Sequence, residues 1–320
     1  PFYAERGGQV GDTGRITSGN SVFEVTVTLP GPSESILHQG QVVEGCFQAG
    51  DRVLAEVTRD RRLDTARNHT ATHLLHFSLR SVFGSHCEQR GSHVGPDRLR
   101  FDFSHLKAVS SEELKVIEDR VNEIIRSNLP VKAEILPFQQ AVDAGAIAIF
   151  DEKYGDEVRV LSVGDPQVSS ELCGGTHVSS TGEIGQFHII TESSIGAGLR
   201  RIEAVTGREA SRLLRQQAET LASAASQLDA APEELVTKIR ILKTELAEAS
   251  RKIQVLERKN MLVQSDKLLP EAVDINGVKL LSAELPGLTL DLLREATDHL
   301  RSRLGRGIII LASVQEDKPV

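Results

Sequence analysis

Two short motifs that lie far apart in the sequence constrain the fold of this chain more than any other feature. The first is His69-x3-His73 within a helical pattern, and the second runs from Cys173 through two glycines to His177. Residues four apart stand above one another on a helix face, so the two histidines can share a ligand. The glycines allow the second segment to fold both flanking side chains onto one point. Three imidazoles and one thiolate are the ligands of a tetrahedral zinc ion, so the sequence predicts one Zn²⁺ per chain.

Either motif alone has a simpler explanation. A polar helix face with two histidines is often only a solvated face, and a lone cysteine–histidine pair is a weaker signal still. Together they supply the right number and kinds of ligand, and no disulfide pattern competes for Cys173. The motif is not that of a zinc protease, because Thr70 stands where H-E-x-x-H has its second residue, the glutamate base. His76 shares the histidine face, and we expect it to support the site or to be exposed.

Composition limits the class of protein. The 320 residues suffice for two or three domains, and a hydrophobic fraction of 39% allows real cores. No apolar run has the length of a membrane span and no signal peptide is recognisable, so we expect no membrane partner. Three scattered cysteines predict a reducing, cytoplasmic setting, and Cys46 and Cys87 are expected to be inert. The net charge of −8 argues against nonspecific coating of nucleic acid, although a local basic groove is compatible with it.

The pattern along the chain predicts an α+β fold in four parts. Residues 1–62 form a small β-barrel-like subdomain, because apolar and polar residues alternate in a half-buried strand at 23–29. The turn signal Ser-Gly-Asn-Ser at 18–21 precedes that strand. Residues 63–206 form a mixed α+β domain that contains both motifs and therefore the zinc. Its predicted strands are residues 158–163, 184–190 and 199–205.

Two helices are predicted in this second part. The first starts at Leu63, carries an apolar face opposite the histidines, and can be terminated by Gly84. The second comes after a capping box, Ser110-x-x-Glu113, and is stopped by Pro130. The apolar stripe that predicts its buried face consists of Leu114, Ile117, Val121, Ile124 and Ile125.

The last two parts differ in character. Residues 207–270 repeat apolar positions at steps of four and three, which predicts an antiparallel helical hairpin or coiled coil, broken between Asp229 and Pro232. Residues 271–320 begin a further α/β domain, and an apolar run at 308–311 predicts one of its strands. Because the sequence starts without methionine and stops soon after that run, we expect a fragment of a longer protein.

Two glycine-rich segments carry candidate ligand-binding groups. Residues 7–14 are typical of a tight turn, yet they also contain polar side chains that a ligand could use. Residues 193–201 have the form of a loop whose backbone N–H groups and arginines could hold phosphate or ribose, although they match no nucleotide-binding fingerprint. Arginines at 59–67 and at 200–201 form basic clusters, for which a solvated surface of mixed charge is the simpler explanation.

Five stretches of the sequence together resemble the alanyl-tRNA synthetase family, in the order that the family has them. They are residues 1–14, 68–76, 89–92, 173–177 and 201–207. The resemblance covers essentially the whole chain, and it corresponds to the editing region of the family and the start of its C-terminal region. The aminoacylation part and most of the C-terminal region of the family have no counterpart in this sequence.

The resemblance implies an aminoacyl-tRNA deacylase, which hydrolyses serine or glycine wrongly esterified to tRNA(Ala). The residues similar to the zinc ligands of the family are His69, His73, Cys173 and His177. Gln89 matches a position implicated in editing, and Thr13 resembles a threonine proposed to read the hydroxyl of serine. Gln9 completes the set of catalytic candidates. The chain departs from the family at Arg6, where serine is common, and this adds a positive charge beside the site.

The implied chemistry agrees with general principles of specificity. A pocket that must hydrogen-bond the serine hydroxyl rejects alanine, because its buried polar groups would stay unpaired. The implied zinc activates a water or orients the substrate, and four protein ligands favour orientation or a structural role. The implied partner is the acceptor end of tRNA(Ala). The residues expected to hold this RNA are Arg67, Gly196, Gly198, Arg200 and Arg201.

Three other interpretations stay open. An editing module of threonyl-tRNA synthetase shares both ligand motifs, but residues 7–14 and the helical repeats at 207–270 favour the alanyl type. A free-standing editing protein would begin with methionine and need not continue into an unfinished domain. A noncatalytic tRNA-binding or dimerisation module would use zinc only to hold its fold. A homodimer through the C-terminal region is compatible with the apolar repeats.

Overall fold

The computed structural model of this chain describes residues 1–148, 155–165, 167–315 and 318–319. The described residues form an α+β structure with several antiparallel sheets and six α-helices. They fall into two compact units, Pro1–Ala218 and Glu219–Val320. None of the helices in the described ranges is both long and apolar enough to cross a membrane. The finer division at residues 62, 206 and 270 stays a prediction.

The first unit contains three antiparallel sheets and the helices that cover them. Its strands are β1 (Gly14–Ser18), β2 (Ser21–Pro30), β3 (Ile36–Glu44), β4 (Leu54–Val57), β5 (Gln89–Val94), β6 (Leu99–Ser104), β7 (Val131–Pro137), β8 (Glu157–Val163), β9 (Ser169–Leu172), β10 (Phe187–Gly196) and β11 (Leu199–Thr206). Its helices are α1 (Arg59–Phe83), α2 (Ser111–Arg126), α3 (Phe138–Asp143) and the first part of α4 (Gly207–Gln227). The sheets have the strand orders β3-β2-β1-β4, β10-β11-β6-β5 and β7-β8-β9.

The N-terminal sheet contains the hairpin that the turn signal predicted. β1 and β2 pair directly, and Gly19 adopts a positive φ of 57° in their turn. The predicted alternation does not continue to the end of β2, because its pairing with β3 shifts between Val25 and Val27. Beyond this shift Thr28 is completely buried, and its hydroxyl donates to the carbonyl of Asp12. Closure of this sheet into a barrel stays a prediction.

The core of the first unit forms around α1 and the sheet β10-β11-β6-β5. α1 starts at Arg59, earlier than the predicted Leu63. The prediction missed the first turn because that turn is polar and shows no apolar periodicity. It ends before Gly84, whose φ of 104° suits glycine alone. Burying a large apolar side chain contributes roughly 1.5–3 kcal/mol. The fully buried side chains at this contact include Leu74, Leu75, Leu79, Phe101 and Phe103.

α2 agrees with its prediction in both cap and buried face. The Ser110 hydroxyl accepts from the Glu113 N–H at 3.2 Å, and the Ser110 N–H donates to the Glu113 carboxylate at 2.8 Å. Ile117 and Val121 are completely buried in the core. The helix ends at Arg126.

The hairpin of β10 and β11 corrects two predictions. The strand predicted at 184–190 starts only at Phe187, because a 3-10 turn at Thr181–Ile184 and a positive φ of 76° at Gly185 bend the chain first. The loop predicted at 193–201 is wrong, since most of these residues pair across the hairpin and leave only a short turn at its tip. The strands predicted at 158–163 and 199–205 are confirmed to within one residue.

The second unit contains the rest of α4 and a small α/β sheet. Its elements are α5 (Leu235–Leu268), β12 (Val273–Ile275), β13 (Val278–Glu284), α6 (Leu290–Leu304), β14 (Gly307–Ala312), β15 (Val314–Gln315) and β16 (Lys318–Pro319). β13 and β14 are parallel and joined through α6, and β14 confirms the strand predicted at 308–311.

The helical repeats are broken where the sequence predicted. Asp229, with a positive φ of 48°, separates α4 from α5, and Pro232 opens the next turn. The apolar stripe of α5 is exposed by 69% at Leu246, 56% at Ile253 and 63% at Leu256. Pairing of these repeats, within one chain or between two, stays a prediction.

Removing the cap of α2 tests this account of the fold. Ser110→Ala deletes the acceptor of the Glu113 N–H, so we expect the free energy of unfolding to fall by about 1 kcal/mol. Chemical denaturation followed by circular dichroism measures the change. Ser111→Ala is the matched control, because the one hydrogen bond of its hydroxyl within the described ranges is to the exposed side chain of Glu112, and its effect should stay below about 0.5 kcal/mol. Equal losses in the two variants would contradict the capping role.

Candidate metal centre

Two distant segments of the first unit meet at one point. α1 presents His69 and His73, and β9 ends at Leu172, so that Cys173 begins the loop that leads to His177. The Sγ atom of Cys173 lies 3.4 Å from Nε2 of His69 and 3.2 Å from Nε2 of His177. One ligand atom from each of the four residues lies within 4.8 Å of the others. We call these residues the four-donor cluster, which could hold one metal ion.

Gln9 fixes the first imidazole of the cluster. The Nδ1–H group of His69 donates to Oε1 of Gln9 at 2.7 Å. The same oxygen accepts from the backbone N–H of Thr176 at 2.9 Å, and the amide of Gln9 donates to the Thr176 hydroxyl. Because an amide oxygen only accepts, the proton of His69 is on Nδ1. Its Nε2 atom therefore faces Cys173.

The other two imidazoles are held in the same way. The Nδ1–H group of His73 donates to the Glu171 carboxylate at 2.8 Å. The Thr70 hydroxyl uses its proton on the carbonyl of Ala66, so its oxygen accepts from Nδ1–H of His177 at 3.2 Å. Nε2 of His73 is buried and has no hydrogen-bond partner among the described residues. A buried nitrogen without a partner is costly unless a ligand such as a metal ion satisfies it.

Glu171 is a functional residue that the sequence interpretation missed. It is 4% exposed, and its carboxylate accepts from His73, His76 and the Ser169 hydroxyl. Burial opposes its charge, but His73 and His76 hold the pKa of Glu171 far below its usual range. The sequence did contain a pattern that could have identified Glu171. Alternate residues of a strand share a face, and Glu171 stands two positions before the predicted ligand Cys173. His76 supports the site through this carboxylate and is not exposed.

Burial and charge together set the protonation states of the cluster. Burial would raise the pKa of the Cys173 thiol, but the imidazoles of His69 and His73 outweigh it and lower the pKa to about 2. Burial opposes a charge on His73, yet the Glu171 carboxylate raises its pKa to about 10. Burial and repulsion by His69 lower the pKa of His177 to about 3. The thiolate of Cys173 and the neutral imidazole of His177 are both metal-binding forms, and a bound metal ion would displace the Nε2 proton that His73 keeps in its absence.

The loop between the two last donors depends on close packing. A Cβ atom at Gly175 would collide with the imidazole of His69 and with Oε1 of Gln9, whereas Gly174 has open space around it. Arg159 of β8 donates to the carbonyls of Cys173 and Gly175, at 2.8 Å in each case. No feature of the sequence indicated Arg159, because its partners are backbone carbonyls of the loop that follows β9 and not a particular side chain.

A cleft of about 640 Å³ opens beside the four-donor cluster. His69, Cys173 and the two loop glycines form part of its wall, together with Arg159. Arg6 also lines the cleft and is exposed, so the residue at which the chain departs from the family lies beside the cluster. The cleft also contains Glu157, so its lining carries two arginines and one carboxylate, and this excess of positive charge could admit an anionic ligand.

The three catalytic candidates lie in different surroundings. Gln9 is completely buried and orients His69. Gln89 lies on β5 and donates to the Ser92 hydroxyl at 3.1 Å. Thr13 lines a second cleft, and its hydroxyl donates to that of Thr58 at the start of α1. Among the described residues, neither Gln89 nor Thr13 lines the cleft beside the cluster.

The arginines expected to bind RNA are engaged within the chain. Arg67 donates to Asp64 and to the carbonyl of Glu183. Arg200 forms a bidentate pair with Glu192, and Arg201 forms one with Asp102. Gly196 and Gly198 lie at the tip of the β10–β11 hairpin. Their role in RNA binding stays a prediction.

Known protein families match the segments that carry these residues. The family model of the threonyl and alanyl tRNA synthetase second additional domain matches residues 158–203, which include Cys173 and His177. A model of class II (A) tRNA synthetases matches residues 1–61, which include Gln9. Both models are drawn from aminoacyl-tRNA synthetases, and the second is specific to class II, so the chain is similar to class II aminoacyl-tRNA synthetases in these segments.

The relatives identify the particular family. The alanine–tRNA ligase of Dehalococcoides mccartyi is 52% identical over 319 residues, covering 100% of this chain and 37% of the relative. That of Chloroflexus aurantiacus is 45% identical and covers 100% of the chain and 37% of the relative. That of Clostridioides difficile is 44% identical, with 99% and 36% covered. The chain belongs to the alanyl-tRNA synthetase family, as its motifs predicted, and it spans about 37% of the length of such relatives.

The two loop glycines allow a matched test of the cluster. Gly175→Ala forces the new Cβ against His69 and Gln9, so we expect it to lower the free energy of unfolding by about 1–3 kcal/mol. Gly174→Ala meets open space and should change this free energy by less than about 0.5 kcal/mol. Denaturant unfolding of both variants measures the difference. If both glycines tolerate alanine equally, the packing described for the loop is wrong.

Proposed function

We propose that the first unit carries an editing site that hydrolyses the ester of tRNA(Ala) mischarged with serine or glycine. The observation that carries this proposal is the convergence of the four-donor cluster at the wall of a cleft. Membership of the alanyl-tRNA synthetase family supports it, because a synthetic site cannot exclude glycine, which is smaller than alanine. Editing by a second site is the general solution to that problem.

The cofactor of this site is one Zn²⁺ held by His69, His73, Cys173 and His177. Zinc bonds of about 2.0–2.1 Å to nitrogen and 2.3 Å to sulfur give a nitrogen–sulfur separation of about 3.6 Å across a tetrahedron. The corresponding separations of 3.4 and 3.2 Å at Cys173 are close to this value. When bound, zinc orients the substrate ester or polarises the water that attacks it.

The chain itself orients the donors and shapes the cleft. Gln9, Glu171 and Thr70 are positioning residues, since each accepts the Nδ1–H of one imidazole and none is proposed to touch the substrate. Arg159 fixes the loop that presents Cys173, and the open space beside Gly174 would admit the aminoacyl group. A hydrogen-bonding pocket here would reject alanine, which lacks the serine hydroxyl.

Gln89 and Thr13 belong to this proposal as residues that act through their neighbours. Gln89 bonds Ser92, and Ser92 packs against Gly8, which precedes Gln9. Thr13 holds Thr58 through both its hydroxyl and its carbonyl, and Thr58 is the cap residue of α1. Gln89 thereby supports the segment whose Gln9 orients His69, and Thr13 supports the helix that carries His69 and His73.

The partner is the acceptor end of tRNA(Ala). Arg6 lines the cleft, and the described residues give it no ion pair, so its guanidinium is available to a phosphate. Arg67, Arg200 and Arg201 are already paired with carboxylates, and they would bind RNA through their remaining donors. Gly196 and Gly198 would bring the tip of the β10–β11 hairpin close to the RNA backbone.

A second candidate function is a noncatalytic, zinc-stabilised tRNA-binding module. One observation favours it: all four positions of a tetrahedral ion would be taken by protein ligands, as in structural zinc sites. In that case zinc would hold β9 to α1 without taking part in hydrolysis.

A deacylation assay separates the two candidates. We expect the chain to release serine from seryl-tRNA(Ala) and to leave alanyl-tRNA(Ala) intact. Cys173→Ala or zinc removal should slow release by about 100-fold, because a misplaced reacting group costs this much. Cys46→Ala is the control, since Cys46 is exposed and outside the cluster. A chain that binds zinc and tRNA without turnover supports the second candidate, and turnover that survives Cys173→Ala excludes the proposed site.

The role of Glu171 has a test of its own. Glu171→Gln keeps the shape of the side chain but removes the charge that orients His73, so we expect zinc affinity to fall by about 10–100-fold. Competition with a chromophoric chelator measures this affinity. Glu157→Gln is the matched control, because Glu157 is exposed and lines the same cleft without contacting an imidazole of the cluster. Equal affinity in all three proteins would contradict the positioning role.

A further inference from the structure

A second group of soft donors lies at the end of α1. His86 and Cys87 come after Gly84 at the end of the helix, and His105 comes directly after β6. Antiparallel pairing of β5 and β6 places the start of one strand beside the end of the other, with Gln89 opposite Phe103. This pairing brings His105 next to Cys87. One ligand atom from each of the three residues lies within 4.8 Å of the others.

The separations within this group agree with those of zinc ligands. Nε2 of His86 lies 3.3 Å from Nδ1 of His105, and Sγ of Cys87 lies 3.9 Å from Nε2 of His86. Two nitrogens on a tetrahedral zinc are about 3.3 Å apart, and a nitrogen and a sulfur about 3.6 Å. We propose that His86, Cys87 and His105 form a second zinc site, distinct from the four-donor cluster. Cys87, which its sequence spacing suggested to be inert, is the thiolate ligand of this site.

The three ligands are held by their surroundings before any ion binds. The Ser104 hydroxyl donates to the carbonyl of His86 at 2.6 Å, and the N–H of Cys87 donates to the carbonyl of Gly84. The N–H of His105 donates to the carbonyl of Gly198 at 2.9 Å. The ring of His105 also packs 4.4 Å from that of Phe83. Little conformational entropy is lost when such preorganised ligands bind an ion.

The end of α1 acts on a cation in two opposite ways, because the helix dipole attracts it and the guanidinium of Arg80 in the last turn, which acts on Cys87, repels it. A helix carries a partial negative charge at its C-terminus, and α1 ends at Phe83, next to these ligands. Cys87 is buried while His86 is exposed, so the group is open to solvent on one side. Three protein ligands leave the fourth position of zinc to water. From His73 to Phe83 the helix rises by about 15 Å, so the four-donor cluster and this group cannot share an ion.

The ring-to-ring hydrogen bond between His86 and His105 is the competing explanation of this geometry. It accounts for the nitrogen separation but gives no role to the thiol. Zinc binds a cysteine as the thiolate, so proton release on binding is a further readout.

Zinc content of the full chain tests the proposal. We expect two Zn²⁺ per chain after dialysis against zinc-free buffer, measured by mass spectrometry of the metal. Cys87→Val, which keeps the buried site apolar, and Cys173→Ala should each retain one ion, and the double variant should retain none. His105→Gln should behave like Cys87→Val, and this second variant covers the case in which valine disturbs folding. Cys46→Ala is the control and should retain two ions.

The outcome does not depend on the editing function. The ion at Cys173 serves as an internal measure of correct folding in every variant that alters the second site. Substitution by Co²⁺ should give thiolate-to-metal absorption that Cys87→Val reduces by half. One ion in the unaltered chain that disappears in Cys173→Ala, or two ions that persist in both Cys87→Val and His105→Gln, would overturn the proposal.

Discussion

The candidate metal centre depends on one physical constraint. Each imidazole of the four-donor cluster donates a hydrogen bond from its Nδ1–H group to a different buried acceptor. Gln9, Glu171 and Thr70 supply these acceptors from the N-terminal segment, from β9 and from α1 itself. An imidazole that lost its acceptor could rotate or change tautomer, and its Nε2 atom would no longer be held toward the common centre. Buried polar groups are costly when unpaired, so the arrangement is stable only when all three bonds are formed together.

This constraint explains why α1 is buried on two faces. Its apolar face builds the core against β6 and β11, and its histidine face meets β9 and the loop after that strand. The N-terminal segment is drawn into the same contact, because Val10 and Gly8 hydrogen-bond Val94 of β5 and thereby insert Gln9 beside His69. Stability of the first unit and geometry of the cluster are therefore coupled. The same helix ends at the second donor group, so one element organises both candidate sites.

Local signals in the sequence predicted local structure well. The capping box of α2, the turn between β1 and β2, the break at Asp229 and the strand β14 all depend on neighbouring residues, and all are present. Predictions failed where the local structure or the partner of a side chain depends on a segment far away in the sequence. Residues 193–201 form strands partly because residues 199–201 pair with residues 102–104 of β6, about a hundred positions earlier in the chain, and this distant pairing supports their own hairpin. The ion pair of Arg201 depends on Asp102, which belongs to the neighbouring strand β6.

The sequence by itself determined the ligand types, their spacing on α1 and in the glycine loop, and the family to which the chain belongs. These properties depend on residue identity and helix periodicity, which need no knowledge of the fold. Only the tertiary structure decided which acceptor orients each imidazole, which arginines are already paired, and that His105 lies beside Cys87. Such contacts join residues that are far apart in the chain, and they form only when sheets pair and α1 packs against them.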